Sequence, residues 1–144
     1  MPEKKTLEKA HRDLRQGKSP TTAAGEFVHE EIEHVRQGKH GARSSKQAIA
    51  IGLSKARRAG IPLAPPEKGQ TSEATRRSAK RELATAQGKR ARRSTSAKRS
   101  AATSRALKRE SRAAASPTAL SRQAKSAAAR RRRRNSSSTS RSAA

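Results

Sequence analysis

The stretch SSKQAIAIGLSKARRAG, residues 44–60, carries the clearest helix signal of the chain. Ser44 followed three positions later by Gln47 fits a capping box, in which the two side chains satisfy amides of the first helical turn. Residues three or four apart then form an apolar stripe, Ile49, Leu53 and Ala56. Gly52 lies on the same side, so it predicts close approach of another helix. Gly60 supplies the left-handed residue that ends a helix.

Two further helices are predicted before this stretch. The first runs from about Leu7 to Gln16, with Thr6 as its N-cap and Gly17 after its last turn. The second opens at Ser19-Pro20, where the serine caps the helix and the proline occupies the first helical position. Its apolar face repeats at Ala24, Val28, Ile32 and Val35. Together the three helices predict a compact all-α module over residues 1–60.

The remainder of the chain has a different composition. Of the 14 Leu, Ile, Val and Phe residues, 11 lie between residues 7 and 63. Residues 61–70 form a Pro-rich linker, and residues 71–144, the arm, are rich in Ala, Arg, Lys and Ser. With so few large apolar side chains and so much like charge, the arm is predicted to be largely disordered. Three stretches are expected to become helical only on phosphates, at about 72–86, 104–115 and 117–134.

Charge is concentrated in the C-terminal half. The net charge is +25, of which residues 61–144 contribute +19 and residues 1–60 only +6. A basic stripe of this kind is typical of nucleic-acid binding through phosphates, which requires no contact with bases. The predicted contact residues form a ladder of basic pairs that ends in a run of five arginines: Arg76, Arg77, Lys80, Arg81, Lys89, Arg90, Arg92, Arg93, Lys98, Arg99, Lys108, Arg109, Arg130, Arg131, Arg132, Arg133 and Arg134.

Phe27 is the only aromatic residue, so stacking platforms for unpaired bases are absent from the sequence of the arm. The target is therefore predicted to be duplex DNA, or structured RNA, held by its backbone, with DNA favoured. The protein is expected in the cytoplasm at the nucleoid, with self-association through the module. Two alternatives stay open, an RNA- or ribosome-associated protein and a protein-interaction adaptor with a basic tether. A helix-turn-helix is disfavoured because residues 38–43 make a long connection and the second helix has an acidic face.

Enzymatic and metal-dependent functions are not expected. The chain has no cysteine, no nucleophile elbow and no glycine-rich phosphate loop. His29 and His34 are the first and last residues of HEEIEH. A spacing of five residues turns their rings about 140° apart on a helix, so no metal site is predicted. No cofactor or small-molecule substrate is expected either. No apolar run approaches the length of a membrane span, which predicts a protein without a membrane partner.

Part of the sequence resembles a known family. The segment KQAIAIGLSKARRAG, residues 46–60, with the preceding residues from about 25, resembles small basic bacterial proteins of unknown function that share a QAIAIxLSxA helix. The resemblance implies a bacterial source and a compact helical module, and it carries over no catalytic residues. In composition alone, the arm resembles bacterial histone-H1-like proteins, which implies a nucleoid-associated role.

Overall fold

A computed structural model describes residues 2–91 and 93–142 of the chain, with side chains as far as Ser137. Within these ranges the predicted all-α fold class is confirmed, and no β-strand occurs. The described residues form six α-helices and one 3₁₀ turn: α1 (Lys4–Arg15), α2 (Pro20–Arg36), α3 (Ser45–Arg58), α4 (Glu73–Ala86), α5 (Ala97–Arg109), the turn Ala113–Ala115 and α6 (Pro117–Ser142).

Several helix ends follow the local rules read from the sequence. Ser19 and Ser44 cap α2 and α3 by accepting the amides of Thr22 and Gln47, each at 3.2 Å. Ser72 and Ser96 cap α4 and α5 in the same way. Gly60 ends α3 with a φ of 92°, a left-handed conformation that glycine adopts without steric cost. The predicted N-caps of α2 and α3 and the predicted end of α3 are thus confirmed. The start of α5 differs from the prediction, which placed a helix only from about residue 104.

Two details of capping differ from the prediction. Helix α1 begins at Lys4, with Glu3 as N-cap and no side-chain cap, so the prediction of Thr6 as N-cap is wrong. The Glu3 carboxylate instead contacts His34 and Lys39, a tertiary contact that lengthens the helix by one turn. At α3 the Gln47 side chain accepts the amide of Arg43 at 2.7 Å, one residue before the position expected for a capping box.

The module core lies between α1, α2 and α3. Its fully buried members are mainly small, with Phe27 and Ile61 as the large ones, and they are Ala10, Ala23, Ala24, Phe27, Ala56 and Ile61. A Cβ at Gly52 would lie 2.6 Å from the Val28 Cα, so α2 and α3 approach at the distance predicted for a glycine contact. Small residues let the helix backbones come close, which lets a short chain bury its few large side chains.

Arg57 ties the Pro-rich segment to the module. Its guanidinium is buried and donates to the carbonyl oxygens of Leu63 and Ala64, at 3.4 and 3.3 Å. Burial lowers the pKa of Arg57 from its ordinary value, while the charge of Glu82 acts in the opposite direction. The segment therefore leaves α3 in a defined direction, towards α4.

The prediction of a largely disordered arm is wrong. Three α-helices and the 3₁₀ turn account for most of its described residues. The expected helix at 72–86 agrees with α4, and the one at 117–134 agrees with the start of α6. The expected helix at 104–115 is replaced by α5 and the separate turn. The physical reason is that the arm packs on the module with small side chains and backbone hydrogen bonds rather than large apolar ones.

The arm is held by the 3₁₀ turn, which inserts between α2 and α3. Ala114 and Ala115 are buried in a second core with Val35, Ala42 and Ala48. Polar groups are also satisfied at this junction. Ser45 Oγ donates to the Ala114 carbonyl at 2.5 Å, Arg36 Nε donates to the Ala115 carbonyl at 3.1 Å, and the amides of Gly41 and Ala42 donate to the carbonyls of Leu107 and Ser111. A side chain at Gly41 would overlap the Glu110 carbonyl, so only glycine permits this approach.

Replacing Ala115, which is 1% exposed, with Asp should release the arm. A buried, unpaired carboxylate at this position costs at least about 3 kcal/mol. We expect amide exchange in the first half of α6 to accelerate about 100-fold while α1–α3 stay protected. Ala101→Asp, an exposed change on α5, is the matched control. Unchanged exchange in α6 of Ala115→Asp would show that the turn does not hold the arm.

Candidate nucleic-acid interface

The predicted contact residues fall on three helices and one loop, and all of those that the structure describes are exposed except Arg76. Helix α4 has Arg76, Arg77, Lys80 and Arg81, the loop to α5 has Lys89, Arg90 and Arg93, α5 has Lys98, Arg99, Lys108 and Arg109, and α6 has Arg130–Arg134. Arg92 was also predicted, but it lies outside the described residues. The structure therefore distributes these cations along helices rather than along a coil.

Helix α4 is positioned by α3. Ala79 is buried at 3% exposure, and Ser54 Oγ donates to Glu82 Oε1 at 2.5 Å. Arg77, Lys80 and Arg81 are exposed on the part of the helix that faces away from this contact. Arg76 is half-buried and lies 3.4 Å from Glu73, so it is the least available of the four to an external phosphate.

Helix α5 projects from the rest of the protein. Its residues are exposed apart from Leu107, which is half-buried near the point where Gly41 donates to the Leu107 carbonyl. The 13 residues extend about 20 Å, with one basic pair in the first turn and one in the last. The helix is thus anchored at its C-terminal end and presents positive charge along its length.

Helix α6 has two parts. In the first, half-buried residues recur three or four positions apart, at Leu120, Gln123 and Ala127, and this side faces the rest of the protein. From Ala129 to Ser137 every residue is exposed. Successive residues of a helix are 100° apart, so Arg130–Arg134 surround the helix axis instead of forming one face. This half of α6 can therefore face phosphates on either side.

Most acidic residues, 7 of 11, lie in residues 1–60. On α2, Glu31 pairs with Lys55 at 2.5 Å, Glu33 with Arg36 at 2.8 Å, and Glu26 with Lys9 at 3.6 Å. These carboxylates are engaged by cations of the module. Among the predicted contact residues that the structure describes, Arg76 alone has a carboxylate within 4 Å. The cations of the arm are consequently left to solvent or to a polyanion.

The prediction missed several isolated cations because it was based on adjacent basic pairs. Arg105 is exposed on α5 and falls on one side with Lys98 and Arg109, at spacings of seven and four residues. Arg122 and Lys125 are exposed on α6. A search for basic residues at helical periodicity would have found the α5 stripe. The three residues of this stripe span about 16 Å of helix.

The two histidines of HEEIEH are placed differently. His29 is exposed on α2, whereas the His34 side chain is only 14% exposed and faces the loop that follows the helix. His29 and His34 thus lie on different sides of α2, as their spacing of five residues predicts. His34 instead lies beside His40, and no spacing rule groups these two residues in the sequence.

No protein-family model, curated protein or solved structure matches the chain. Among the helices of the described residues, none combines the length and the apolar character that crossing a bilayer requires.

Proposed function

We propose that this protein binds nucleic acid without enzymatic activity, duplex DNA above all, through phosphate contacts made by α4, α5 and α6. The observation that carries the proposal is that the basic side chains are exposed and largely without carboxylate partners. They are exposed on three helices, and the structure provides almost no carboxylates to neutralise them. Each cation that meets a phosphate releases condensed counterions, which favours binding whatever the base sequence.

The dimensions of the helices support a duplex as the ligand. A helix with its side chains is about 10–12 Å across, close to the width of the major groove of B-DNA. The exposed half of α6 presents arginines around its whole circumference, so both walls of a groove would be within reach of guanidinium groups. Arg is suited to this role because its planar fork binds phosphate oxygens in pairs.

The position of the single aromatic residue argues against single-stranded ligands. Phe27 is fully buried in the module core, so it cannot stack on a base. Recognition of unpaired bases depends on such stacking. Coating or compaction of duplex DNA at the nucleoid, as the histone-like composition of the arm implies, is the role we propose. The module α1–α3 would supply the scaffold that orients the basic helices.

Competition binding tests the proposal directly. Full-length protein bound to a labelled duplex should be displaced equally, within about threefold, by the same duplex and by one with scrambled sequence. Material isolated from the native cell should lose its bound nucleic acid with DNase and keep it with RNase. A thousandfold preference for one duplex would refute phosphate-based binding. Release by RNase alone would identify an RNA-associated protein instead.

A further inference from the structure

A polar cluster lies where α2 ends, in the region where the following loop meets the C-terminal end of α5. It consists of Glu31 and His34 of α2 and His40 of the loop between α2 and α3. A carboxylate oxygen of Glu31 and one ring nitrogen from each of the two histidines lie within 4.8 Å of one another. Residues 31 and 34 are three positions apart, which places them on the same side of the helix. The loop then turns back and brings His40 to them.

Glu31 is the most unusual member, because its carboxylate is 1% exposed. The Lys55 ammonium lies 2.5 Å from Oε2. Oε1 is buried and receives no aligned hydrogen bond from any described residue. His40 Nε2 is only 2.8 Å from Oε1, so the two atoms are close without the alignment that a hydrogen bond needs. A buried carboxylate oxygen in this state is costly unless a cation reaches it.

The other nitrogen of His40 defines the tautomer. Nδ1 lies 2.8 Å from the Gly41 carbonyl oxygen, which can only accept, so Nδ1 carries a proton. In the neutral ring Nε2 then carries a lone pair and no proton, and it lies beside Glu31 Oε1. Two acceptors 2.8 Å apart repel each other unless a proton or a metal ion sits with them. Histidines that bind metals commonly have this arrangement, with one ring nitrogen held by a backbone carbonyl and the other free for the ion.

His34 completes the cluster. Its ring centroid is 6.4 Å from that of His40, and the two rings are inclined by 82°. His34 Nε2 also lies 3.3 Å from Glu3 Oε1 and 3.8 Å from Glu30 Oε1. The carboxylates of Glu3 and Glu30 therefore add negative charge around the cluster. Lys55 acts in the opposite direction, since its charge partly neutralises Glu31.

We propose that Glu31, His34 and His40 bind a divalent transition-metal ion, for which Zn²⁺ is the best match. Two imidazole nitrogens and one carboxylate oxygen are ligands that zinc accepts, while Mg²⁺ prefers oxygen alone. Tetrahedral zinc holds its ligands at about 2.0–2.2 Å, which sets neighbouring ligand atoms about 3.3–3.6 Å apart. His40 Nε2 and Glu31 Oε1, now 2.8 Å apart, must therefore separate slightly to admit the ion. His29, five residues before His34 on α2, is exposed and is not part of this cluster.

The four histidines of the chain provide a matched pair of variants. His34→Gln/His40→Gln and His11→Gln/His29→Gln each remove two of the four, and the second pair is exposed. Full-length, tag-free, metal-stripped protein is titrated with Zn²⁺ by calorimetry, without DNA. Wild type and the His11/His29 variant should bind one equivalent with equal affinity. The His34/His40 variant should lose at least the 10–100-fold that removal of an outer-shell partner causes. Mg²⁺ should give no comparable binding.

A second measurement covers the case in which the His34/His40 variant does not fold, as judged by circular dichroism. In the wild-type protein, Zn²⁺ should shift the ring resonances of His34 and His40 and leave those of His11 and His29 in place. The proposal is overturned if the His11/His29 variant loses as much affinity as the His34/His40 variant. It is equally overturned if Zn²⁺ leaves the His34 and His40 resonances of the wild type unchanged.

Discussion

The affinity of the protein for duplex DNA should fall roughly 10³–10⁵-fold when salt is raised from 50 to 200 mM. This range corresponds to about 6–10 neutralised phosphates, each of which releases condensed counterions on binding. The described residues of α4, α5 and α6 offer more exposed cations than this, and few are paired with carboxylates. Fluorescence anisotropy of a labelled duplex, titrated at four or five salt concentrations, measures the slope.

The same titration with a scrambled duplex is the control, since counterion release depends on phosphates and not on bases. Parallel lines of equal slope are expected for the two duplexes. A nearly flat dependence on salt would mean that the exposed cations contribute little, and the proposed mode of binding would then be wrong.

Replacing all five residues Arg130–Arg134 with Gln should weaken duplex binding roughly 10²–10³-fold at 0.1 M salt. On a helix about three of the five can face one duplex at a time, because successive side chains are 100° apart. The slope of the logarithm of affinity against the logarithm of salt concentration becomes about 0.9 shallower for each lost contact. At 0.1 M salt, each lost contact also lowers the logarithm of the affinity by about 0.9. The slope should therefore fall by about 3. All five side chains are exposed, so the fold should be unaffected.

A variant with the same change in net charge separates position from total charge. Five exposed cations of the module, none of them in an ion pair among the described residues, are replaced with Gln: Lys4, Lys5, Arg12, Arg15 and Lys46. If α6 is part of the interface, this variant should lose much less affinity than the Arg130–Arg134 variant. Equal losses would indicate that only the overall charge matters, and that α6 has no special place in binding.

The ends of the helices in the module could be predicted because the interactions that set them are local. Ser19 and Ser44 cap helices by bonding amides three residues away, and Gly60 ends one by its own backbone conformation. Where a distant residue intervened, the same rules failed. Glu3 contacts His34 and Lys39, so α1 starts earlier than Thr6 would suggest.

For the candidate interface, the sequence likewise identifies the basic residues but not how they are arranged in space. The segregation of charge and the identity of the basic residues are properties of composition, so the sequence was sufficient to select them. Their arrangement on helices was only partly foreseen, because helix in the arm was expected to require phosphates. Arg105 has no basic neighbour in the sequence, so a prediction based on adjacent basic pairs does not include it.

The amino-acid sequence by itself determined the all-helical class, the capped starts of α2 and α3, the close approach at Gly52 and the excess of positive charge after residue 60. Tertiary structure alone decided that the arm is ordered and that His34 meets His40 and Glu31. Alanine has too little apolar surface for its burial to be predicted from composition. Ala114 and Ala115 are buried because α2 and α3 leave a space of their size, lined by Ser45 and Arg36, which bond the backbone of the turn. Such a fit depends on residues about 70 positions apart, and no local pattern encodes it.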